Sequence, residues 1–450
     1  MAGDLEDTTG TAETDWASWI RERTEPAGVY QRPEALDDLL VVDVSSGGMA
    51  GAFCSSILAE WGAEVVRVEP PRGGVLRQFS PFGLEHQGCG LAYLVEGRNK
   101  FHITCNLSKR EGRDLLARLG AKADVLIECF KPGQMDRWGI GYRQLAQCNP
   151  RLIYAALSTY GQFGPKARPN ANKPDYDVTD QALSGLVHIT GEPAADPKSP
   201  QPYEAPTKAG NWMGWYAAGG WAAFGILAAL NYRHVSGRGQ CVDVSGAEAI
   251  MRFCEDMVTW YEKDRYIRPR VGVVDTAVSP YNFLRCKDGY QMLAGFSDVN
   301  FQALTTVIGR PELRGDPRFQ TFVKRAQNRQ ALHHELERWT AQYTSQEILD
   351  KVQDYVLNKR GPGIVATGRV NAPGETFAES HWWERGSLMT VEDPLYGELP
   401  MQGQPWKATE TPPRMKWACR PPGKDNAHIY LKHLGIDRRA LAALRKRGVV

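Results

Sequence analysis

A strand, turn, helix and strand near the N-terminus place the strongest constraint on the fold. The apolar run LLVVDVS (39–45) leads into the glycine-rich turn SGGMAG, the helix-spaced stretch AFCSSILAEWG and a second apolar run, EVVRVEPP (64–71), which two prolines end. A helix that joins two strands of one sheet makes a crossover connection, so these strands should be parallel. Further strands are predicted at DVLIECF (124–130) and RLIYAAL (151–157). The N-terminal half is therefore expected to be α/β.

The pattern changes near Ser279. SPYNFLRCKDGYQMLAGFS is typical of two strands around a Lys-Asp-Gly turn, and three stretches with helical spacing follow it: NFQALTTVIG, RQALHHELERWTAQY and SQEILDKVQDYVL. This part should form a smaller α+β domain. After about Glu375 come prolines, glycines and aromatic residues, and then one or two closing helices, HIYLKHLGI and RALAALRKRG.

Charge and cysteine content narrow the function. The 450 residues include 54 Lys and Arg against 52 Asp and Glu, and a net charge of +2 favours neither nucleic acid nor an anionic membrane as a partner. The nine cysteines are scattered, odd in number and without a Cys-x-x-Cys pair, which indicates a reducing, cytoplasmic location without disulfides or zinc. The histidines show no metal-ligand spacing either, so no metal site is expected. The acidic, polar N-terminus is unlike a signal peptide.

An uncharged run, AGNWMGWYAAGGWAAFGILAALNY (209–232), is long enough to cross a bilayer. It contains five Gly and two Asn, however, and the chain contains no second run of this kind. We therefore predict a buried core helix, and no membrane partner.

Two other features have ordinary explanations. The turn SGGMAG resembles a dinucleotide fingerprint in which Ser46 replaces the first glycine, with Glu69 near the usual ribose-binding acid. Because that glycine makes the tight turn, nicotinamide or flavin binding is not expected. A generic βα turn is favoured, with room for another phosphate ligand at the helix N-terminus. The acids Asp175, Asp177 and Asp180 are explained by helix capping as well as by catalysis. No Gly-x-Ser-x-Gly nucleophile elbow occurs.

The order of several motifs is more specific than any one of them. They are LLVVDVSSGGMAGAF, LAEWGAEVVRVEPPRGGVLR, GRNKFHITCNLSKREGRDLL, ADVLIECFKPGQMDRWGIGY, NPRLIYAALSTYGQFGP, YDVTDQALSGLVHITG, GILAALNYRHVSGRGQCVDVS and GRPELRGDPRFQT. Together they resemble the family III CoA transferases (CaiB/BaiF-like), which include formyl-CoA transferase, the carnitine CoA transferase and α-methylacyl-CoA racemase. The resemblance extends from about Leu39 to the C-terminus.

This resemblance implies an α/β fold with a Rossmann-like large domain built from both chain ends, a smaller α+β domain and an interlocked dimer. The implied domains are a polar arm (1–32), the first part of the CoA-binding domain (33–265), a linker with the small domain (266–385) and a return to the large domain (386–450). Coenzyme A would enter as an acyl-CoA substrate. The positions that match CoA contacts in the family are Gly48, Met49, Ala50, Arg72, Cys105, Cys129, Phe130, Gln134 and Arg137.

The resemblance also implies where the catalytic group should lie. In the transferases one aspartate attacks the donor thioester and becomes an aspartyl-CoA thioester, which the acceptor acid then releases. The family places it in Asp-x-x-x-Gly shortly before Gly-Ile-Leu-Ala-Ala-Leu. Aligning that motif with residues 225–230, and its glycine with Gly219, puts the nucleophile position at Trp215. Neither Asp nor Glu occurs from Ala205 to Gln240.

We interpret this replacement as the mark of a subunit that relies on a homologous partner for its nucleophilic Asp. The family contains such a two-subunit enzyme, succinyl-CoA:(R)-benzylsuccinate CoA transferase of anaerobic toluene breakdown, and this chain resembles one of its subunits. The expected substrates are then CoA thioesters such as succinyl-CoA and free carboxylic acids such as an aryl-substituted succinate. Trp212, Trp215, Trp221 and Trp260 could wall an aromatic acyl pocket, although tryptophan is more often part of a core.

Two alternatives stay open. A racemase-like enzyme acting on 2-methylacyl-CoAs would use Asp177 together with an upstream histidine, but no His lies between His102 and His188. A homomeric CoA transferase would need another carboxylate, with Asp177 or Asp175 as candidates, and a CoA-binding protein without catalysis would need none. We favour Asp177 as a structural or substrate-side acid.

Overall fold

The structure, a computed structural model, describes residues 15–25, 28–168, 176–193, 206–358 and 361–450. The chain divides into two compact units. Unit 1 comprises Met1–Leu186, Ala209–Glu255 and Glu379–Val450, and unit 2 comprises Val187–Lys208 and Asp256–Ala378. Unit 1 therefore contains both ends of the chain.

The strands, in chain order, are β1 (Leu40–Asp43), β2 (Glu64–Glu69), β3 (Glu85–His86), β4 (Cys89–Gly90), β5 (Lys100–Thr104), β6 (Val125–Glu128), β7 (Ile153–Ser158), β8 (Cys241–Ser245), β9 (Tyr281–Cys286), β10 (Gly289–Ala294), β11 (Ala366–Arg369), β12 (Leu388–Asp393) and β13 (Gly397–Gln402). The helices of the first half are α1 (Asp15–Thr24), α2 (Met49–Glu60), α3 (Leu91–Glu96), α4 (Arg110–Gly120), α5 (Gln134–Arg137), α6 (Tyr142–Cys148), α7 (Asp177–Leu183), α8 (Leu186–Ile189) and α9 (Met213–Ser236). Those of the second half are α10 (Gly246–Met251), α11 (Met257–Asp264), α12 (Asp298–Val307), α13 (Phe322–Gln327), α14 (Arg329–Thr340), α15 (Ser345–Leu357), α16 (Pro373–Ala378), α17 (Ser380–Glu384), α18 (Asn426–Leu434) and α19 (Arg438–Lys446).

A six-stranded sheet with the order β5-β2-β1-β6-β7-β8 forms the centre of unit 1. All of its strand pairs are parallel. This confirms the predicted α/β class, and β1, β2, β6 and β7 lie where the apolar runs predict them. From β1 the chain continues to β2 and β5 on one side of the sheet, and then from β6 to β7 and β8 on the other side. The carboxyl ends of β1 and β6 therefore flank the crevice in which sheets of this kind bind ligands.

The uncharged run folds as α9, a helix that packs on α2 through small residues. A Cβ atom built on Gly219 would lie 2.5 Å from the carbonyl oxygen of Ala50, so only glycine allows the two helices to approach this closely. Ala218, Ala222 and Ile226, on the same side of α9, are buried in the core that α2 shares. Among the described residues α9 is the one helix long and apolar enough to span a membrane, but its packing makes it a core helix.

In unit 2, β9 and β10 pair as an antiparallel hairpin, as the Lys-Asp-Gly turn predicts, and β11 adds a third strand. Helices α12, α14 and α15 correspond to the three predicted helical stretches, and their apolar sides form a separate core with the sheet. The predicted closing helices are α18 and α19. The β12–β13 hairpin, in contrast, lies in a stretch for which no strand was predicted.

Candidate active site

A cavity of about 390 Å³ lies at the carboxyl ends of β1, β6, β7 and β8. Its wall consists mostly of small and polar side chains. The lining residues are Ser46, Gly47, Gly48, Ala50, Cys129, Lys131, Leu157, Ser158, Thr159, Tyr176, Asp180, Trp215, Ala218 and Gly246. The strand order of the sheet thus places a ligand-sized space next to the glycine-rich turn of the βαβ unit.

Hydrogen bonds to the buried carboxylate of Asp43 stabilise the turn between β1 and α2. Its Oδ1 accepts hydrogen bonds from the backbone N–H of Ser45 (2.9 Å), the Ser45 hydroxyl (2.6 Å) and Arg67 Nη1 (2.6 Å), and its Oδ2 accepts one from Ser55 (2.6 Å). Burial acts to raise the pKa of Asp43, but Arg67, Lys100 and the two hydroxyls outweigh it and hold the pKa below its usual value. The carboxylate therefore stays charged and fixes the turn that forms one wall of the cavity.

Trp215 also lines the cavity, next to Gly48. A Cβ atom built on Gly48 would lie 2.9 Å from Nε1 and Cε2 of the indole. The ring stacks on Phe79, with ring centroids 5.7 Å apart, and touches Trp212 at a centroid distance of 5.7 Å. Only 9% of Trp215 is exposed. The Trp215 side chain is thus packed against Gly48, Phe79 and Trp212.

Asp177 supports the backbone at this position. Its Oδ1 accepts hydrogen bonds from the N–H groups of Gly214 (2.8 Å) and Trp215 (3.2 Å), two of the donors that the first turn of α9 leaves without helical partners. Its Oδ2 accepts one from Gln181 Nε2 (2.7 Å). Asp177 is buried, and it is not among the described residues that line the cavity. Asp175 lies outside the described residues.

Asp180 is the carboxylate that does line the cavity. It is 2% exposed and lies against two glycines that begin neighbouring helices: a Cβ atom on Gly214 would lie 2.6 Å from Asp180 Cβ, and one on Gly246 would collide with the carboxylate. The sequence carried a signal for this residue. Asp177, Asp180, Gln181 and Ser184 form a polar stripe at helical spacing, and all four are buried. A buried polar face on a short helix indicates a built site rather than a solvated helix start.

The residues proposed as CoA contacts divide into two groups. Gly48, Ala50 and Cys129 line the cavity, with Met49 fully buried behind them. The remaining ones are Arg72, Cys105, Phe130, Gln134 and Arg137, none of which lines it.

Each residue of the second group has its own surroundings. Arg72 is exposed in the turn after β2. Cys105 is buried, donates to the carbonyl of Gly112 (3.2 Å), and burial raises its pKa to about 12. Phe130 packs edge-on against Trp138, and Arg137 donates to Gln134 Oε1 (2.7 Å). The thiol of Cys105 therefore faces the protein core.

Of the tryptophans considered for an acyl pocket, Trp215 alone appears among the described residues that line the cavity. Trp221 stacks on Phe253, and Trp260 belongs to unit 2. The ionisable side chains in the described wall are those of Asp180, Lys131, Cys129 and Tyr176. The sequence analysis does not identify Lys131 as a site residue, although it directly follows the predicted strand 124–130. The described part of the wall holds no histidine, and no group of three or more potential metal ligands occurs in the described residues.

Comparison with known proteins gives a consistent result. The sequence pattern of CoA-transferase family III matches residues 36–426. The succinyl-CoA–D-citramalate CoA-transferase of Chloroflexus aurantiacus is 33% identical over 93% of this chain and 98% of its own length. The solved structure of a CaiB/BaiF family protein from Brucella suis superimposes with a TM-score of 0.75 and 28% identity, covering 89% of this chain and 100% of that one.

Both subunits of a heteromeric enzyme are also similar to this chain. The α subunit of the succinyl-CoA–L-malate CoA-transferase of Chloroflexus aurantiacus is 31% identical, and the match covers 99% of both chains. The β subunit is 28% identical over 92% of this chain and 98% of its own length. A match over 99% of the chain includes α1, whereas the family pattern begins after it.

Proposed function

The chain belongs to CoA-transferase family III, and from that premise we propose that it is one subunit of a heteromeric CoA transferase. The enzyme moves CoA between an acyl-CoA and a free carboxylic acid. A homologous partner subunit supplies the nucleophilic carboxylate, and the two chains form an interlocked assembly in the cytoplasm. This chain contributes the cavity and the turn before α2, but not the attacking group.

The observation that carries the proposal is the packing of Trp215, the residue that we assign to the family's nucleophile position from the sequence resemblance. An indole has no anion that can accept an acyl group, and its contacts with Gly48 and Phe79 leave little room for rotation into another position. Asp177, which accepts a hydrogen bond from the Trp215 N–H, has both oxygens engaged by the start of α9 and by Gln181. The similarity to both the α and β subunits of a malate CoA-transferase supports the heteromeric form.

For the substrates we propose succinyl-CoA as donor and a dicarboxylic acid as acceptor. The relatives named for citramalate and L-malate support this class, because both acids are substituted succinates or close homologues. An aryl-substituted succinate such as benzylsuccinate is the larger member of the class. Its ring would need an aromatic surface in the cavity, and Trp215, which packs on Phe79, would provide one.

The test is reconstitution. This chain and a homologous chain that has Asp at the position of Trp215 are expressed separately and together. Transfer of CoA from succinyl-CoA to L-malate, citramalate and benzylsuccinate is then followed by chromatography of the thioesters. We expect activity only from the pair, and none when the partner's aspartate is changed to Asn. Turnover by this chain alone would contradict the proposal.

A gain-of-function variant tests whether this chain lacks only the nucleophilic carboxylate. Trp215→Asp places a carboxylate at the mouth of an otherwise intact cavity. Incubation with succinyl-CoA should then give an acyl or CoA adduct that hydroxylamine releases and that mass spectrometry locates at residue 215. Trp215→Asn, which matches the shape but lacks the anion, serves as the control and should give no adduct.

One observation favours a second candidate. Asp180 presents a carboxylate to the cavity of this chain, so a homomeric transferase would use Asp180 rather than Asp177. Asp180→Asn separates the two: it abolishes activity of a homomer, whereas in the heteromer the partner's aspartate continues to turn over. A borohydride- or hydroxylamine-sensitive adduct at Asp180 in the isolated chain would favour the homomer.

The racemase alternative is less well supported, because it needs two acid/base groups on opposite sides of the substrate's α-carbon. In the described wall no histidine faces Asp180, and Asp177 is held by backbone N–H groups. Incubation of a 2-methylacyl-CoA with the chain in deuterium oxide tests it, since a racemase would exchange the α-proton.

A further inference from the structure

Among the described residues that line the cavity, Lys131 supplies the one cationic side chain. The acid in the same wall is Asp180, which is 2% exposed. The other described lining residues are glycines, apolar or hydroxyl-bearing side chains and the thiol of Cys129. The cavity therefore has one position that favours an anionic group and one that disfavours it.

These two charges lie at different strands of the central sheet. Lys131 is in the turn that follows β6, whereas Asp180 lies against Gly246, the residue that begins α10 directly after β8. Strand β7 lies between β6 and β8, and neighbouring strands are about 4.8 Å apart, so the ends of β6 and β8 are about 10 Å from each other. An anion in the cavity is thus attracted to the β6 side and repelled from the β8 side.

The turn that carries Lys131 is fixed by its neighbours. The N–H of Phe130 donates to Glu128 Oε2 (2.6 Å), and the Phe130 ring packs edge-on against Trp138. The carbonyl of Lys131 accepts a hydrogen bond from the N–H of Gln134 (2.9 Å). The side chain therefore starts from an ordered backbone, which lowers the entropy that binding a ligand costs.

The acids closest to Lys131 in sequence have other partners. Glu128 accepts hydrogen bonds from a backbone N–H (2.6 Å) and from the hydroxyl of Tyr154 (3.3 Å). Asp136 pairs with Arg143 at 3.2 Å. The side chain of Lys131 is exposed and lines the cavity, so its ammonium group is accessible to an anion that enters.

We propose that Lys131 binds the free carboxylate of a dicarboxylic substrate and thereby selects dicarboxylic over monocarboxylic acyl groups. This inference rests on the proposed function, in which succinyl-CoA and a dicarboxylic acid exchange CoA. Such a substrate keeps one carboxylate while the other forms the thioester. A charge-assisted hydrogen bond from the ammonium group stabilises this carboxylate, and a monocarboxylic acyl group leaves the cation without that partner.

A phosphate group of CoA has similar chemistry, but it lies at the other end of the molecule. The pantetheine arm separates the phosphates from the thioester. The cavity of about 390 Å³ also contains Trp215, the residue that we assign to the nucleophile position, so it should receive the thioester end. A cation in this wall is therefore closer to the acyl group than to the phosphates.

The test compares two unreactive thioethers, S-(3-carboxypropyl)-CoA and S-butyl-CoA, which differ only in a terminal carboxylate or methyl group. Their inhibition constants are measured with the reconstituted heteromer. For wild type, the constant of the carboxypropyl compound should be about 10-fold lower, as expected for a hydrogen bond to a charged group. Lys131→Met should remove this difference by weakening the carboxypropyl compound alone. Lys131→Arg should keep the difference, because it keeps the charge.

Lys324→Met, which changes an exposed lysine on α13 in unit 2, is the control and should behave as wild type. Calorimetric titration with the same two compounds gives dissociation constants for any variant that has lost activity. Equal constants for both compounds in wild type overturn the inference. Equal weakening of both by Lys131→Met also overturns it and assigns Lys131 to a CoA phosphate. If the wild-type pair transfers no CoA, the proposed function fails. If the pair is active and does not distinguish the two compounds, only this inference fails.

Discussion

The indole of Trp215 lies so close to Gly48 that position 48 has no space for a side chain: a Cβ atom there would lie 2.9 Å from the ring nitrogen. Gly48 has an extended backbone (φ −162°, ψ 161°) that any residue can adopt, so only the neighbour requires glycine there. The turn and the helix α9 therefore meet without space for a side chain between them.

This contact predicts a strong coupling between the two positions. Gly48→Ala should destabilise the wild-type chain by about 1–3 kcal/mol, because the methyl group overpacks the contact with the indole. In a Trp215→Ala background the same change should cost close to zero. Urea unfolding of the four variants measures the coupling.

Gly47→Ala is the matched control for this cycle. Gly47 has a positive φ of 86° but no atom within 4 Å of an added Cβ. Its substitution should cost about 1–2 kcal/mol through backbone strain, whatever occupies position 215. A cost for Gly48→Ala that is likewise independent of residue 215 would contradict the proposed contact.

Asp177 should contribute to stability rather than to chemistry. Asp177→Ala leaves the N–H groups of Gly214 and Trp215 without their acceptor in a buried position, which should cost about 1–3 kcal/mol. Asp177→Asn keeps an oxygen acceptor and should cost less. The measurement is the free energy of unfolding, with the exposed Asp114→Ala on α4 as control, expected within about 0.5 kcal/mol of wild type. Indistinguishable stabilities for Asp177→Ala and wild type would refute the capping role.

The cavity predicts a ligand-dependent reactivity for Cys129. Its thiol lines the cavity, whereas Cys148 and Cys241 are exposed elsewhere. In a Cys148→Ser/Cys241→Ser chain, acetyl-CoA should slow the alkylation of Cys129 by N-ethylmaleimide several-fold, because the thioester arm covers it. Peptide mass spectrometry follows the rate. In a Cys129→Ser chain, acetyl-CoA should leave the labelling of Cys148 unchanged. Equal rates at Cys129 with and without saturating acetyl-CoA would place the CoA site elsewhere.

Sequence patterns predict those strands that are buried on both faces and are therefore apolar along most of their length. Strands β1 and β6 are apolar on both faces because helices cover both sides of the sheet, and such runs are easily recognised. Strand β5 was missed because it carries Lys100 and His102, both fully buried. Their burial depends on partners distant in sequence, such as Asp43 and Glu69, which only the folded chain brings together.

The same limit applies to the site. The motif at residues 225–230 and Trp215 lie on the same helix, α9, so their spacing in the sequence is also their spacing in the structure. Sequence spacing does not distinguish Asp177 from Asp180, since both belong to one buried polar stripe. In the structure their surroundings differ: Asp177 accepts a hydrogen bond from the start of α9, whereas Asp180 lines the cavity. Helix α1 was likewise hidden in a polar arm, because ten residues without a core face carry little periodic signal.

The buried pair of His102 and Glu69 predicts how stability depends on pH. The imidazole lies 3.0 Å from the Glu69 carboxylate. Burial acts to lower the pKa of His102, but Cys419 and Glu69 outweigh it and raise the pKa to about 9. Because the folded pKa lies above the unfolded value of about 6.5, the folded chain holds a proton that the unfolded chain loses between these values. The contribution of His102 is therefore complete below about pH 6.5 and is lost as the pH rises through about 9.

His102→Gln isolates this contribution from the other groups that titrate. The difference in unfolding free energy between wild type and His102→Gln should shrink from pH 6.5 to 9, by at most about 1.4 kcal/mol per pH unit. Urea unfolding across this range measures it, and His428→Gln, whose histidine is exposed on α18, should leave the wild-type slope unchanged. A difference that stays constant, or grows, with rising pH would mean that His102 is neutral in the folded chain and that Glu69 is held by Arg77 alone, to which it is bonded at 2.7 Å.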